Sequence, residues 1–234
     1  MTIWSKFCVA SLVIFTLVTR APKRRVILSI EGNIGSGKST LVRHLRQRWP
    51  GIVHEEPVEE WSQIRDEHGR GILEAYYADP PSMSFAMQVT ALFTRYTMLH
   101  KALRDNDVVV IERSIAADNY VFKVAAMENK TMSHIQGAIY DRMYAFFNQQ
   151  LPQHVLIYID TPPAVCLTRI RDRARPGEAT ITPRCLDALH VGHQRLLDAC
   201  GTIHYRLDGT ATAERVYLDA VPIIERYLSG VSLQ

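Results

Sequence analysis

The stretch SIEGNIGSGKSTLVRHL, Ser29 to Leu45, decides how the chain is read. Val26-Ile27-Leu28-Ser29-Ile30 is a short apolar run suited to a buried parallel strand. A glycine-rich turn follows, and Thr40 to Arg48 continues in good helix formers with Leu41 and Leu45 four apart. This order, with the spacing Gly32-x-x-x-x-Gly37-Lys38-Ser39, is the P-loop pattern. Glycines are needed because backbone N–H groups must approach phosphate oxygens closely, often at φ values that a Cβ forbids. The helix N-terminus adds its positive end to the anion site. The loop thus assigns Gly32, Asn33, Ile34, Gly35, Ser36, Gly37, Lys38, Ser39 and Thr40 to phosphate binding. Lys38 would reach the β- and γ-phosphates, and the Ser39 hydroxyl would ligate Mg²⁺. Taken alone the pattern does not separate a kinase from a GTPase or an ATPase, although no N/T-K-x-D base-reading sequence for a GTPase switch is present.

The 234 residues, 47% hydrophobic, can bury one full core, and no Gly/Ser/Pro-rich linker marks a second domain. A single domain over 26–234 is expected behind an extension of residues 1–25. The formal charge of +3 is modest and the basic residues are scattered except near residues 20–25 and 169–175, so nucleic acid is not indicated as a partner. Cys8, Cys166, Cys185 and Cys200 lack C-x-x-C spacing and read as reduced, intracellular thiols. His190 and His193 read as helix-surface residues rather than zinc ligands. In the extension, Phe7 to Thr19 is uncharged and largely apolar, short of the about twenty residues of a membrane span, and basic residues follow at Arg20, Lys23, Arg24 and Arg25. A signal-peptide core, a mitochondrial presequence, a weak anchor and a disordered extension are the alternatives, none of them clean: a secretory signal would carry an ATP-using site to where ATP is scarce, and a transit peptide is usually amphipathic rather than apolar. The address is read as intracellular, cytosolic or mitochondrial, with membrane contact confined to residues 1–25.

Apolar runs recur at Val26–Ile30, Gly51–His54, Val108–Ile111, Val155–Ile159 and Ile203–Leu207. Candidate helices lie near Met83–Arg104, Ala117–Met127, His134–Gln150, Pro163–Asp172, Pro183–Ala199 and Ala211–Leu228. Alternating strands and helices predict an α/β fold with a central parallel sheet of about five strands flanked by helices. Ligands bind such sheets beyond the carboxyl ends of the strands. That rule singles out the P-loop, HEEPVEEW after the second strand, ERS after the third, and Asp208-Gly209 after the last.

Phosphoryl transfer needs an orienting or proton-accepting carboxylate, a metal bridging phosphates, and cations for the transferring charge. Glu56 ends the second strand, just before Pro57, and Glu112-Arg113 ends VVVIERS. LTRIRDRARPGEA sets Arg169, Arg171, Arg173 and Arg175 on alternating positions before a Pro-Gly break, the composition of a mobile cover over phosphates.

Together the motifs EGNIGSGKST, EPVEEW, YYADP, ERSIAAD and RIRDRARPGE resemble, in order, those of the deoxynucleoside kinase family, from about Val26 to about Asp208. The resemblance implies a P-loop kinase fold with an arginine-rich lid, ATP as donor with Mg²⁺, a deoxynucleoside as acceptor in nucleotide salvage, and a homodimer. By the same resemblance Glu56 is the base for the 5′-hydroxyl, Glu112 with Ser39 holds Mg²⁺, Arg113 contacts the 5′ region, and Arg169, Arg173 and Arg175 form the lid. Tyr77 and Glu178 match the pair that bonds the sugar 3′-hydroxyl. Gln88 matches the residue that reads the base in its plane, and Trp61 a wall of the base pocket.

The chain departs from the family pattern at Met87, where many members have a stacking phenylalanine, and at IAAD after ERS. Ala91, Arg95 and Asp118 match the residue types of deoxycytidine kinase-like members. An ionised Asp118 accepts hydrogen bonds only, so it suits the exocyclic amine of cytosine or adenine and repels the O4 of thymine. Met87 and the small pair Ala116-Ala117 would enlarge the pocket, which keeps thymidine as the alternative substrate. Two other readings stand beside these. A nucleoside monophosphate kinase shares the P-loop but would want an arginine, not Glu56, at its acceptor end. A non-catalytic scaffold has no use for Gly37, Lys38, Ser39, Glu56 and Glu112 together.

Overall fold

The computed structural model describes residues 25–152, 154–175, 177–199 and 204–230. The N-terminal extension up to residue 24, Cys8, Cys200 and Ile203 lie outside them. Among the described residues, five strands form one wholly parallel sheet in the order β2-β3-β1-β4-β5: β1 Val26–Glu31, β2 Val53–His54, β3 Val108–Glu112, β4 His154–Asp160 and β5 His204–Asp208. β1 is central because it is apolar toward both faces. Its Leu28 pairs with Val110 on one side and Val155 on the other, and all three are buried.

Helices cover both faces. α1 (Lys38–Arg48) presents Leu41, Val42 and Leu45 to one face, together with Val216, Ala220 and Ile224 of α10 (Ala213–Leu228). α9 (Pro183–Ala199) packs Leu189, Leu196 and Leu197 against Leu156 and Tyr158 on the other. α2 (Val58–Gln63), α3 (Ile72–Ala78) and the long α4 (Pro80–Asp105) follow β2. Asp79 caps α4 by accepting from the Ser82 N–H, and prolines occupy its first turn, where a missing N–H costs nothing.

After β3 the chain turns through α5 (Ile115–Ala117), a π-helical turn Asp118–Lys123 and α6 (Val124–Glu128). α7 (His134–Asn148) opens on a full capping box of Ser133 and Gln136, and α8 (Pro163–Arg173) leads to the glutamate Glu178. No described helix is long and apolar enough to cross a membrane.

Several sequence expectations shift. β2 shrinks to two residues because the Ile52 and Val53 N–H groups turn back to Trp49 O. The single helix expected over Ala117–Met127 is interrupted by the π turn, a feature rare in helices and frequent at functional sites. His193 was expected on a helix surface and is fully buried, its ring 5.8 Å from that of Tyr158 and its Nδ1 2.7 Å from Leu189 O.

Candidate active site

The P-loop leaves β1 through backbone that only glycine accepts easily. Gly32 has φ 145°, and a Cβ there would stand 2.6 Å from Ser36 Oγ and 2.9 Å from Ile159 O. Gly37 caps α1 at φ 105°. Lys38 Nζ donates to Asn33 O at 2.7 Å, and burial pulls its pKa down to about 7. The Asn33 side chain turns inward, donating to Leu186 O at 2.8 Å and accepting from the Ile34 N–H, so this residue can offer a phosphate only its backbone. Ser39 Oγ donates to Glu112 Oε1 at 2.7 Å. Hydroxyl and carboxylate therefore converge across α1 and β3 as a hard, oxygen-only pair.

A charged cluster joins the strand ends. Arg95, fully buried in α4, donates Nε to Asp118 Oδ2 at 2.8 Å and Nη2 to Asp118 Oδ1 at 3.2 Å. It also donates Nη1 to Glu112 O at 3.0 Å and Nη2 to Glu56 Oε1 at 3.0 Å. Arg113 Nε stands 3.4 Å from Glu56 Oε1, and its guanidinium lies 4.6 Å above the Phe122 ring. Burial alone would raise the Glu56 pKa, but the charges of Arg113 and Arg95 outweigh it and hold the carboxyl below its ordinary value. Arg113 has φ 63°, a left-handed conformation costing a non-glycine residue about 1–3 kcal/mol, which the surroundings must hold in place.

These residues line one cavity of about 630 Å³. Its apolar wall holds Trp61, Met87 and Ala91, and Trp61 is fixed by its Nε1–H donated to Thr94 Oγ1 at 2.9 Å. Gln88 is buried beside them, with no partner for its Oε1 among the described residues. Tyr77 packs its ring where a Cβ on Gly177 would sit, at 2.8 Å, which sets it next to Glu178. Its phenol is pushed above its ordinary pKa by burial and then by the Glu178 charge.

Arg173 grips both oxygens of buried Glu178 at 2.8 Å, and Arg175 approaches Glu178 Oε1 at 3.7 Å. Arg169 Nη1 donates to Ser36 O at 3.3 Å. A second cavity of about 210 Å³, lined by Ser36, Thr40, Arg169, Gly209 and Ala211, adjoins the loop.

Gly35, Gly37, Lys38, Ser39 and Thr40 thus face the main cavity together with Glu56, Glu112, Arg113, Arg169, Arg173 and Arg175, whereas Gly32, Asn33 and Ser36 do not. Arg171 stays outside, since residues two apart on a helix point to different sides. Ala116 and Ala117 are likewise not cavity walls. They are buried in the core with Val121, Leu156 and Tyr158, so their small size does not widen the pocket. Sequence reasoning missed Phe122, Tyr76, Arg43 and Ile181, all cavity residues. The aromatic spacing Phe122 to Asp118, one helical turn, was the available signal for the first.

A P-loop at the end of a central parallel strand, with an acid beside a hydroxyl and arginines around one cavity, defines a P-loop phosphotransferase. Residues 28–222 match the family described as deoxynucleoside kinase. The chain is 31% identical over 222 residues to the deoxycytidine kinase of Homo sapiens, covering 84% of this chain and 81% of that one. It is 31% identical over 173 residues to a probable deoxycytidine kinase of Fowlpox virus, covering 73% and 71%. With the mitochondrial deoxyguanosine kinase of Xenopus laevis it shares 28% over 193 residues, covering 73% and 72%. The chain belongs to the deoxynucleoside kinase family, and its activity is that of a deoxynucleoside kinase using ATP as phosphate donor.

Proposed function

We propose that the chain phosphorylates the 5′-hydroxyl of deoxycytidine, and of deoxyadenosine to a lesser degree, to the 5′-monophosphate. The observation that carries the base preference is the bidentate Arg95–Asp118 pair in the cavity wall near Gln88. A carboxylate fixed by arginine offers its remaining lone pairs to an exocyclic amine, and the unpartnered Gln88 Oε1 is a second acceptor. Thymine would set its O4 against the carboxylate, leaving two buried acceptors face to face.

In this reading Glu56, ionised and held between Arg95 and Arg113, orients the 5′-hydroxyl and takes its proton. Lys38 exchanges Asn33 O for the β- and γ-phosphates, and Arg169, Arg173 and Arg175 close on the transferring charge. The smaller cavity beside Arg169 takes the remainder of the donor nucleotide. Tyr77 and Glu178 take the 3′-hydroxyl, which requires Arg173 to share or release Glu178. The oxygen pair Ser39 and Glu112 suits Mg²⁺, which binds through one or two protein oxygens plus substrate phosphates. No described group of three or more His, Cys, Asp or Glu offers a self-sufficient cage. Bound there, the ion would supply charge neutralisation at the β- and γ-oxygens.

Residues 1–25 are assigned to an extension outside the catalytic domain 26–234. A second copy of this chain is assigned to the aromatic face of α4 and α7, where Phe93 and Phe146 are 51% and 63% exposed. Sedimentation of the wild type against Phe93→Glu/Phe146→Glu tests it, and a wild-type monomer rejects it.

The substrate assignment is tested by incubating the protein with Mg-ATP and each of the four natural deoxynucleosides. Fastest monophosphate formation from deoxycytidine supports it. A preference for thymidine, for which the pliable Met87 in place of an aromatic wall is the favouring observation, overturns the base assignment alone.

A further inference from the structure

Glu31 is the last residue of β1 and stands immediately before the P-loop, yet it does not line the nucleotide cavity. It is fully buried. Its Oε1 accepts the Ser114 N–H at 2.7 Å, across 83 residues of sequence, and its Oε2 has no partner among the described residues. A carboxyl in such a place costs free energy unless it does something for its neighbours.

Those neighbours form the corner Glu112-Arg113-Ser114. Arg113 is in the left-handed region at φ 63°, so the corner does not hold itself. Arg95 Nη1 holds its first carbonyl, Glu112 O, and the two N–H groups that follow are both held from β1. The Arg113 N–H donates to Ile30 O at 3.0 Å, and the Ser114 N–H donates to Glu31 Oε1. Just beyond, Ser114 Oγ caps α5 by accepting the Ala117 N–H at 3.0 Å, and this single turn delivers Asp118 to Arg95. Glu31 Oε1 therefore anchors the chain at Ser114, between the residue that faces Glu56 and the residue that meets Arg95.

We infer that Glu31 is a positioning residue for phosphoryl transfer: its Oε1, by holding the Ser114 N–H, sets the strained Arg113 corner, and through it the placement of Arg113 against Glu56 and of Asp118 in the base pocket. The inference rests on the roles proposed above for Arg113 and Asp118. What matters is the reach of the acceptor rather than its charge. Burial pushes the Glu31 pKa up to about 7, so near neutrality either protonation state is present while Oε1 remains an acceptor in both.

Two conservative variants separate reach from charge. Glu31→Gln keeps the chain length and the acceptor but removes the charge, whereas Glu31→Asp keeps the charge and draws the acceptor back by one methylene. Turnover is measured per binding-competent site, with competent protein counted by ATP titration, so that a loss of folded molecules does not register as a loss of kcat. Glu31→Asp is expected to lower kcat about 10- to 100-fold, the scale for a displacement of about 1 Å in a catalytic arrangement, while Glu31→Gln stays within about threefold of wild type. A purely structural role moves neither number once competent sites are counted. Full turnover in Glu31→Asp, or an impaired Glu31→Gln beside an intact Glu31→Asp, overturns the inference, as does equal impairment of both. Arg113→Ala is assayed alongside. If it keeps wild-type turnover, the reading of the site fails and this inference with it. If it is inactive while Glu31→Asp is not, only the role of Glu31 is lost.

Discussion

Arg95 Nη2 donates to Glu56 Oε1 at 3.0 Å while Nε of the same guanidinium donates to Asp118 Oδ2 at 2.8 Å. The carboxylates of Asp118 and Glu56 thus share one buried cation. In the proposed reading, a base that shifts Asp118 would act on Glu56 through a rigid planar group, joining acceptor choice to chemistry.

Glu56→Gln is expected to lower kcat about 10²- to 10⁴-fold with nucleoside binding largely kept, because the amide retains the shape and an acceptor for Arg95 but cannot take a proton. Single-turnover assays with calorimetric nucleoside titration check this. Lost binding with preserved turnover would make Glu56 a binding residue only.

Lys38→Ala removes the ammonium that the loop holds at Asn33 O. Turnover should fall at least about 10²-fold, the scale for losing one preorganised charge contact to a transition state. More than about a tenth of wild-type turnover contradicts its assignment to the phosphates.

The existence and parallel direction of the strands were legible from the apolar runs, because parallel strands buried on both faces read as near-continuous hydrophobics, but their order in the sheet was not. α2 and α3 escaped because six or seven residues carry too few turns for periodicity to show. The site was legible where chemistry needs a spacing, as at Gly32 to Ser39, or where a charge follows an apolar run, as at Glu56 and Glu112-Arg113. It was illegible where tertiary contact decides. Glu31 looks like a strand end until Ser114 arrives from the neighbouring strand, and Phe122 looks like core until the π turn aims it at the cavity. Ala116 and Ala117 look like pocket walls until the chain carries them past it. Alternating arginines suggested four equal lid residues, and helical geometry excludes Arg171.

Buried histidines give the protein an acid-side weakness. Burial lowers the His193 pKa to about 3, with Arg113, Lys38 and His190 adding repulsion. Its ring packs on Tyr158 and Phe122, and Leu189 O, 2.7 Å from its Nδ1, opposes the shift. His154, against Ser29 Oγ, is lowered to about 4. The unfolded chain therefore binds protons that the folded one refuses, and stability falls as pH drops below about 6.5. Each such group contributes about 1.4 kcal/mol per pH unit. Urea unfolding of His193→Phe should lose about 1.4 kcal/mol less than wild type between pH 7 and 5.5. An identical loss in both proteins removes His193 as a cause.

Deleting residues 1–22 is expected to leave a folded, active enzyme, since β1 starts at Val26 and its ladder partners are β3 and β4. Circular dichroism and turnover of the shortened chain check it. Insoluble or inactive protein assigns the apolar run to the core.

The base preference is tested where Arg95 and Asp118 meet. Changing either alone strands a buried charge, at a cost of about 3–5 kcal/mol, so a single variant would confound specificity with folding. Arg95→Met with Asp118→Ala removes both charges and leaves Arg113, at 3.4 Å, as the cation on Glu56. In the proposed reading it also withdraws the acceptor that would face thymine O4. The ratio of kcat/KM for thymidine to that for deoxycytidine should rise at least about tenfold, as expected when an unmatched buried polar group costing about 1–3 kcal/mol is relieved. The ratio is the quantity to read, because Glu56 loses one of its two partners and both substrates share that change. A wild type that already prefers thymidine, or an unchanged ratio in the double variant, removes Asp118 as the discriminating residue and leaves the deoxynucleoside kinase activity untouched.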